Sequence, residues 1–346
     1  MSNNLPSTKH MRPTDYTMPQ VELGSTGIKV SRVGMGILPI GPNQLALPLD
    51  EGASIINYAI DRGINFIDTA QYYDTNTYIR RALDLRTASA LDGAALDSRP
   101  VVICSKSLAE DYDGMMSAIE ESCRQLNRDK IDIFLMHEVR SGQLADRAGA
   151  WEALVRARHD GLVGAIGLST HHVDVTLAAS QMDDLDVVFP LINYAGLGIR
   201  CGDRFATADE MLNAIKACRA AGKGIFSMKT FGGGPLTSHY RQALDFAFAQ
   251  PEIDAVMLGF GNTSEIDDLI AYLSGSMPVD YNPDISHKHV HINQEDCEGC
   301  GACKNACPAG AIFWSAETGL AEVDQTKCLT CGYCSPVCPV RAVIMY

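Results

Sequence analysis

The plainest chemistry in this chain is carried by eight cysteines in two runs. Cys297, Cys300, Cys303 and Cys307, followed by Pro308, recur thirty-one residues later as Cys328, Cys331, Cys334 and Cys338, followed by Pro339. Each run has the C-x2-C-x2-C-x3-C-P spacing that turns three thiolates of one loop towards an iron–sulfur cube, and in two-cluster proteins the fourth thiolate belongs to the other cube. The spacing therefore assigns one [4Fe-4S] cluster to Cys297, Cys300, Cys303 and Cys338, and a second to Cys328, Cys331, Cys334 and Cys307. The proline after each fourth cysteine ends that run and redirects the chain. Zinc ribbons and disulfides are the competing uses of such cysteines. Zinc sites usually draw on two well separated C-x2-C pairs, and disulfide scaffolds belong to short secreted chains, so both fit less well.

A second set of reactive side chains stands where three apolar runs end. Asp68 closes one run with Tyr73 five positions on, Lys106 follows a second, and His137 closes a third. A carboxylate beside Lys106 keeps the ammonium charged. An ammonium beside a phenol is expected to lower the phenol's pKa towards a range where it exchanges a proton with a carbonyl oxygen, and an imidazole alongside can hydrogen-bond the same oxygen.

These residues must be brought together by the elements that precede them. From Ser31 onward, short runs rich in Val and Ile alternate with amphipathic stretches, the pattern of β/α units. The runs are Val33–Ile37, Asn65–Thr69, Val101–Ser105, Ile131–His137, Ala165–Ser169, Val187–Asn193, Gly224–Lys229 and Ala255–Gly259. Helices are expected over Asp50–Arg62, Thr75–Leu85, Asp113–Leu126, Ala148–His159, His172–Met182, Thr207–Ala221, Ser238–Gln250 and Thr263–Leu273. Eight such units predict a (β/α)8 TIM barrel, whose active site lies at the C-terminal ends of the strands. The Ala- and Asp-rich stretch between Arg86 and Pro100 is expected to be a surface loop. Gln20 to Val30 is expected to be a hairpin that plugs or caps the barrel. The expected division is a flexible start over 1–19, the barrel over 20–274, a linker over 275–289 where turn residues collect, and a small α+β ferredoxin-like iron–sulfur domain over 290–346.

Two resemblances follow from these residues. The cysteine runs and their surroundings resemble a bacterial two-[4Fe-4S] ferredoxin. Residues from about Gln20 to Leu273 resemble the aldo-keto reductase family, whose Asp–Tyr–Lys–His tetrad lands on Asp68, Tyr73, Lys106 and His137. The resemblance implies Tyr73 as general acid/base, Asp68 and Lys106 as its tuners and His137 as the group that orients a carbonyl, with Tyr72 a structural neighbour. The family's nucleotide contacts are matched only in part. Its Ser-Asn on the fifth strand becomes Ser169-Thr170, and its Gln on the sixth has no counterpart beyond Asn193. Met228 stands where an aromatic stacks on nicotinamide, with Phe231 in reach from the loop, and Lys229 is placed to pair with a pyrophosphate. After the last strand, Asn262 and Glu265 replace the Lys or Arg expected of NADP binders. A carboxylate there would repel a 2′-phosphate, so NAD is favoured over NADP, although the N–H groups opening that helix can cradle a phosphate.

The implied activity is an iron–sulfur oxidoreductase acting on a small carbonyl or alcohol, with NAD(P)H as hydride partner and the clusters serving one-electron carriers such as a ferredoxin or flavoprotein. Hydride carries two electrons and a cluster one, and no flavin-binding signature appears in the sequence. A nicotinamide-independent enzyme fed by its clusters is therefore a second expectation, and a non-catalytic electron-transfer subunit a third. His171 and His172 sit past the fifth run on the same face, where they are expected to line the substrate, to face the ferredoxin module or to be exposed to solvent. His287, His289 and His291 alternate as an extended docking segment would, in preference to a metal site. Composition sets the remaining limits. A net charge of −14 argues against nucleic acid and anionic membranes as partners. Four further cysteines, Cys104, Cys123, Cys201 and Cys218, are expected to be buried thiols, and thiols with clusters place the protein in a reducing cytoplasm. No signal peptide and no membrane-spanning run is seen.

Overall fold

The computed structural model describes residues 16–91, 99–284, 288–329, 333–335, 337–340 and 342–346. Strands β1 (Gln20–Glu22) and β2 (Lys29–Ser31) pair as an antiparallel hairpin, with Val21 opposite Val30. Then β3 (Val33–Gly36), β4 (Phe66–Asp68), β5 (Val102–Ser107), β6 (Ile131–Met136), β7 (Val163–Thr170) and β8 (Val187–Pro190) lie side by side. A short β9 (Arg200–Cys201)–β10 (Arg204–Phe205) hairpin interrupts the series before β11 (Gly224–Ser227) and β12 (Ala255–Gly259) complete it. β12 pairs back onto β3, Val256 beside Val33, which closes an eight-stranded parallel barrel. All eight expected runs form these strands. Their nearly unbroken apolar character has a physical reason: a parallel strand inside a barrel is buried on both faces.

Helices α1 (Leu49–Asp61), α2 (Asn76–Leu91), α3 (Tyr112–Leu126), the single turn α4 (Gln143–Asp146), α5 (Ala148–His159), α6 (Val173–Ala179), α7 (Ala208–Ala220), α8 (Tyr240–Phe248) and α9 (Thr263–Leu273) wrap the outside. Their starts are written locally. Asp111 accepts from the Gly114 N–H at 2.8 Å, and Thr207 and Glu210 form a reciprocal capping box on α7, devices that satisfy first-turn donors. One expectation is corrected. The stretch after Arg86 was expected to be a loop, yet α2 runs through Thr87-Ala-Ser-Ala-Leu91; the alanines favour helix, and Arg86 is tied to Asp61 at 2.6 Å. Residues 92–98 of that stretch lie outside the described residues, as do the first fifteen.

The core has two layers. Between strands and helices sit Ile56, Ile79, Phe134, Leu154 and Ile215. Inside the barrel Phe189 stacks on Phe226 at 4.4 Å, with Phe66 edge-on at 5.1 Å. Leu23 and Val30 of the hairpin join this inner layer, so the hairpin plugs the barrel as expected. Its tip approaches so closely that a Cβ on Gly24 would lie 2.3 Å from the Gly224 nitrogen. With one end stopped, the opposite end is free to hold a site.

Past α9 the described residues form no helix or strand until β13 (Val290–Ile292), which pairs antiparallel with β16 (Val343–Met345). α10 (Ala302–Ala306) and the hairpin β14 (Ile312–Trp314)–β15 (Ala321–Val323) lie between them. Val290, Ile292, Ile312 and Val343 form this module's core together with Cys303, Cys334 and Cys338. His289 precedes β13 and His291 lies within it, in extended backbone paired to β16; His287 lies outside the described residues. Among the described residues no helix is long and apolar enough to cross a membrane.

Candidate active site

The C-terminal mouth of the barrel opens into a cavity of about 880 Å³ that Asp68, Tyr73, Lys106 and His137 all line. Their convergence follows from register: β4 and β5 pair with Asp68 beside Cys104, and β5 and β6 pair with Lys106 beside Leu135, so all reach the same end. Tyr73 ends a short 3₁₀ turn that Asp74 closes at φ +53. Lys106 is almost fully buried; its ammonium donates to Asp68 Oδ2 at 3.0 Å and to the Thr69 carbonyl at 2.7 Å. That ammonium also lies 4.4 Å from the centroid of the Tyr73 ring. The Tyr73 hydroxyl is 3.3 Å from His137 Nε2.

Burial dominates the electrostatics. It raises the Tyr73 phenol, and the Lys106 charge opposes but does not reverse that rise. The expected fall in this pKa is therefore corrected: the phenol has lost more solvation than the ammonium returns. Burial pulls Lys106 down, but the Asp68 carboxylate outweighs it and leaves the ammonium held above its ordinary value. Burial lifts Asp68 in turn, against Lys106. His137 is pushed well below the ordinary imidazole range by burial first, then by Lys106 and His171. The site at neutral pH is thus a protonated phenol, a charged lysine and a neutral imidazole.

Two residues at this mouth were not found from the sequence. Arg147, buried between α4 and α5, donates to the carbonyls of His137 at 2.8 Å, Ser107 at 3.1 Å and Ala109 at 3.1 Å. It clamps the ends of β5 and β6, which carry Lys106 and His137. Glu138 lines the cavity in the left-handed region at φ +49, a strained geometry for this residue type. Its carboxyl is raised by burial and then by Asp296, while Lys229 and Arg140 act against the rise. A helix-start arginine and a residue whose backbone is set by a loop leave no signal in spacing.

The nucleotide residues divide. Met228, Lys229, Phe231, Asn262 and Glu265 line the cavity. Ser169, Thr170 and Asn193 do not. Ser169 accepts from the Glu138 N–H at 2.9 Å, Thr170 donates to the Val139 carbonyl at 2.6 Å, and Asn193 holds Leu197 at both ends of its amide. Glu265 accepts from the Gly261 N–H at 2.7 Å and from Lys288 at 2.7 Å, so the loop before α9 has a carboxylate of the chain's own on it. Phe231 stacks on Tyr240 at 5.0 Å.

The module forms the far wall of this cavity. His291, Asn293, Asp296, Val340, Met345 and Tyr346 face it. Met345 N–H donates to the Gly233 carbonyl at 2.9 Å, Arg140 approaches Asp296 at 3.5 Å, and Arg200 donates to the Pro339 carbonyl. Within the module, burial raises the Cys303 thiol, and Cys338, Cys297 and Cys300 are near enough to add to that rise. Cys307 instead lines a small separate cavity with Cys328 and Cys334, and its sulfur accepts from the Ala311 N–H at 3.3 Å. Cys331 lies outside the described residues. Thiol donors in two groups, crossed at the fourth member of each run, in apolar surroundings with N–H donation to sulfur, fit a pair of iron–sulfur clusters.

The chain is a closed parallel barrel with Asp68, Tyr73, Lys106 and His137 gathered at its C-terminal mouth, joined to a cysteine-rich module, the build of an oxidoreductase with an iron–sulfur domain. Residues 32–255 match the model of the aldo/keto reductase family and residues 289–339 that of the 4Fe-4S dicluster domain. The chain belongs to the aldo/keto reductase family. It is similar to L-galactose dehydrogenase of Arabidopsis thaliana, 23% identical over 72% of this chain and 86% of the relative. It is also similar to 6-dehydroglucose reductase of Novosphingobium aromaticivorans, 26% identical over 75% of this chain and 84% of the relative. Among solved structures, a putative aldo-keto reductase from Pseudomona aeruginosa covers 75% of this chain and 95% of its own length at a TM-score of 0.58 and 23% identity. Bombyx mori aldo-keto reductase in complex with NADP covers 78% and 90% at a TM-score of 0.56 and 17% identity. At these identities the structures speak for the fold alone.

Proposed function

We propose that the chain interconverts a carbonyl and an alcohol at the barrel mouth, with Tyr73 passing the proton and a nicotinamide as hydride partner, while the module's clusters exchange single electrons with a ferredoxin or flavoprotein. The observation that carries this reading is the Tyr73–His137–Lys106–Asp68 geometry. A carbonyl oxygen near the Tyr73 hydroxyl and His137 Nε2 meets two polar groups together. The raised phenol arrives protonated, ready to donate as negative charge develops on that oxygen, and the ammonium 4.4 Å from the ring stabilises the phenolate left behind. His137, neutral, hydrogen-bonds the oxygen without competing as an acid. The names of the sugar-acting relatives support a polyhydroxylated carbonyl compound as substrate class.

The clusters would be held by Cys297, Cys300, Cys303 and Cys338, and by Cys328, Cys331, Cys334 and Cys307; when bound they supply one-electron storage. One observation favours a second reading, in which no nucleotide is used: Ser169, Thr170 and Asn193 spend their side chains on the chain's own backbone, and Glu265 with Lys288 fills the loop before α9.

Anaerobically purified protein is to be assayed with NADH or NADPH and aldose-type carbonyls, and with dithionite in place of nucleotide. Tyr73→Phe is expected to lower turnover by about 10²–10⁴-fold with iron content unchanged. Full turnover in that variant overturns the assignment of Tyr73. Turnover with dithionite and none with nucleotide moves the conclusion to the second reading. Cys300→Ala is expected to cut iron from about eight to about four atoms per chain; unchanged iron would sink the ligand assignment.

A further inference from the structure

The two proposed ligand groups stand differently towards the barrel. Asp296 and Glu298, on either side of Cys297, line the barrel cavity, and so does Val340, two residues beyond Cys338. Arg200, itself in the cavity wall, donates to the carbonyl of Pro339, the residue joined to Cys338. By contrast, among the described residues the small cavity that Cys307, Cys328 and Cys334 line has walls drawn only from the module, between Val290 and Cys334. One group abuts the substrate compartment and the other is turned away from it.

Arg200 is held firmly for a partly exposed side chain. Its other guanidinium nitrogen donates to the Asp203 carbonyl at 2.8 Å, its carbon sits 5.2 Å over the Phe205 ring, and its backbone N–H is fixed to the His171 carbonyl at 3.0 Å. Asp296 is held by Asn293 at 2.9 Å and Arg140 at 3.5 Å. A cluster gains one negative charge on reduction, so a fixed cation beside it favours the reduced form and a fixed carboxylate disfavours it, with an effect that fades over a Debye length.

Resting on the ligand pairing proposed above, we infer that Arg200 and Asp296 form an electrostatic link between the barrel cavity and the cluster of Cys297, Cys300, Cys303 and Cys338, setting that cluster's potential while leaving the other's in place. Both are positioning residues: they act through charge on a neighbouring group and need not touch substrate. The link gives this cluster, and not its neighbour, a potential that charge in the substrate compartment can shift.

The test is reduction of the full-length holoprotein at controlled potential, followed by electron paramagnetic resonance, with iron counted in each sample. Arg200→Gln is expected to lower one of two one-electron waves, and Asp296→Asn to raise that same wave. Arg200→Lys, which keeps the charge, is expected to leave it near the wild-type position. Lys327→Gln, beside Cys328 and paired with Asp324 at 2.7 Å, is expected to leave that wave where it is. The inference is overturned if Arg200→Gln moves neither wave or both alike, if Asp296→Asn shifts the wave in the same direction, or if Arg200→Lys shifts it as far as Gln does. Opposite shifts from the two variants are not produced by loosened packing. Iron for fewer than two clusters in the wild-type chain would count against the ligand pairing instead, and would show in the iron analysis before any potential is read.

Discussion

Asn293 of the iron–sulfur module donates its side-chain amide to the hydroxyl of Tyr72 at 3.3 Å, across 221 positions of sequence. Tyr72 directly precedes the proposed acid, and the two tyrosine rings meet edge-on at 5.8 Å. The module does not hang from the barrel as a separate body; it forms part of the cavity wall at the barrel mouth.

This contact predicts a binding effect without a chemical one. Asn293→Ala removes the bond to Tyr72, worth about 1 kcal/mol net, together with two bonds inside the module, to Asp296 at 2.9 Å and from the Glu295 N–H at 3.2 Å, and leaves Tyr73, Lys106 and His137 in place. KM for the carbonyl substrate is expected to rise roughly fivefold with kcat unchanged. Steady-state kinetics of the variant check it, and an equal fall in kcat would show that the contact bears on the transition state.

The buried Asp68–Lys106 pair predicts a strong dependence between two substitutions. Lys106→Met leaves a carboxylate in the barrel without its cation, and Asp68→Asn leaves an ammonium without its anion. Each is expected to cost about 3–5 kcal/mol of stability, whereas the double variant costs clearly less than the sum of the singles. Denaturant midpoints of the three proteins form the cycle. Additive losses would mean that the pair is not coupled.

How much of this was legible beforehand depends on the range over which each contact acts. The eight strands were readable because a strand buried on both faces shows itself as a local apolar run, and Asp68, Lys106 and His137 were readable because they end such runs. Tyr73 came with Asp68 through a fixed short spacing. The long-range contacts were not readable: nothing in Asn293 points to Tyr72, nor in Lys288 to Glu265. Ser169, Thr170 and Asn193 show a different loss. A short polar side chain at a strand end can turn to the cavity or satisfy a backbone group nearby, and periodicity does not distinguish the two. The raised Tyr73 phenol is illegible for a related reason, since the proximity of an ammonium is legible in strand order while the depth of burial is not.

The direction of the proton at that phenol predicts the pH behaviour. Tyr73 is raised by burial, so it stays protonated through neutrality; His137 is lowered, so it stays neutral as pH falls through the ordinary imidazole value of 6.5. Carbonyl reduction is expected to run without an inflection from His137 between about pH 6 and about pH 8. Alcohol oxidation needs the phenolate, whose share grows with pH, so its rate is expected to climb across the same window. A reduction profile that falls with a midpoint near neutrality would put the proton on a different group.

The last prediction concerns the seam itself. Gly234 sits at φ +113, and a Cβ there would lie 2.5 Å from Met345 Cβ and 2.7 Å from its carbonyl oxygen. Neither obstacle can be relieved locally, because the backbone conformation disfavours any side chain and the colliding atoms belong to β16. Gly234→Ala is therefore expected to push β16 away from the barrel and break the bond from Met345 N–H to the Gly233 carbonyl, with backbone strain of about 1–3 kcal/mol. Hydrogen exchange at Met345 should speed by about tenfold or more, and KM should rise as it does in Asn293→Ala. Gly310→Ala supplies the comparison: its φ is +60, yet nothing lies within 4 Å of the added carbon. It carries strain without a seam to open, so Met345 exchange should keep its wild-type rate there. Equal acceleration in both variants would mean that Gly234 contributes only backbone freedom and that β16 is held by other contacts.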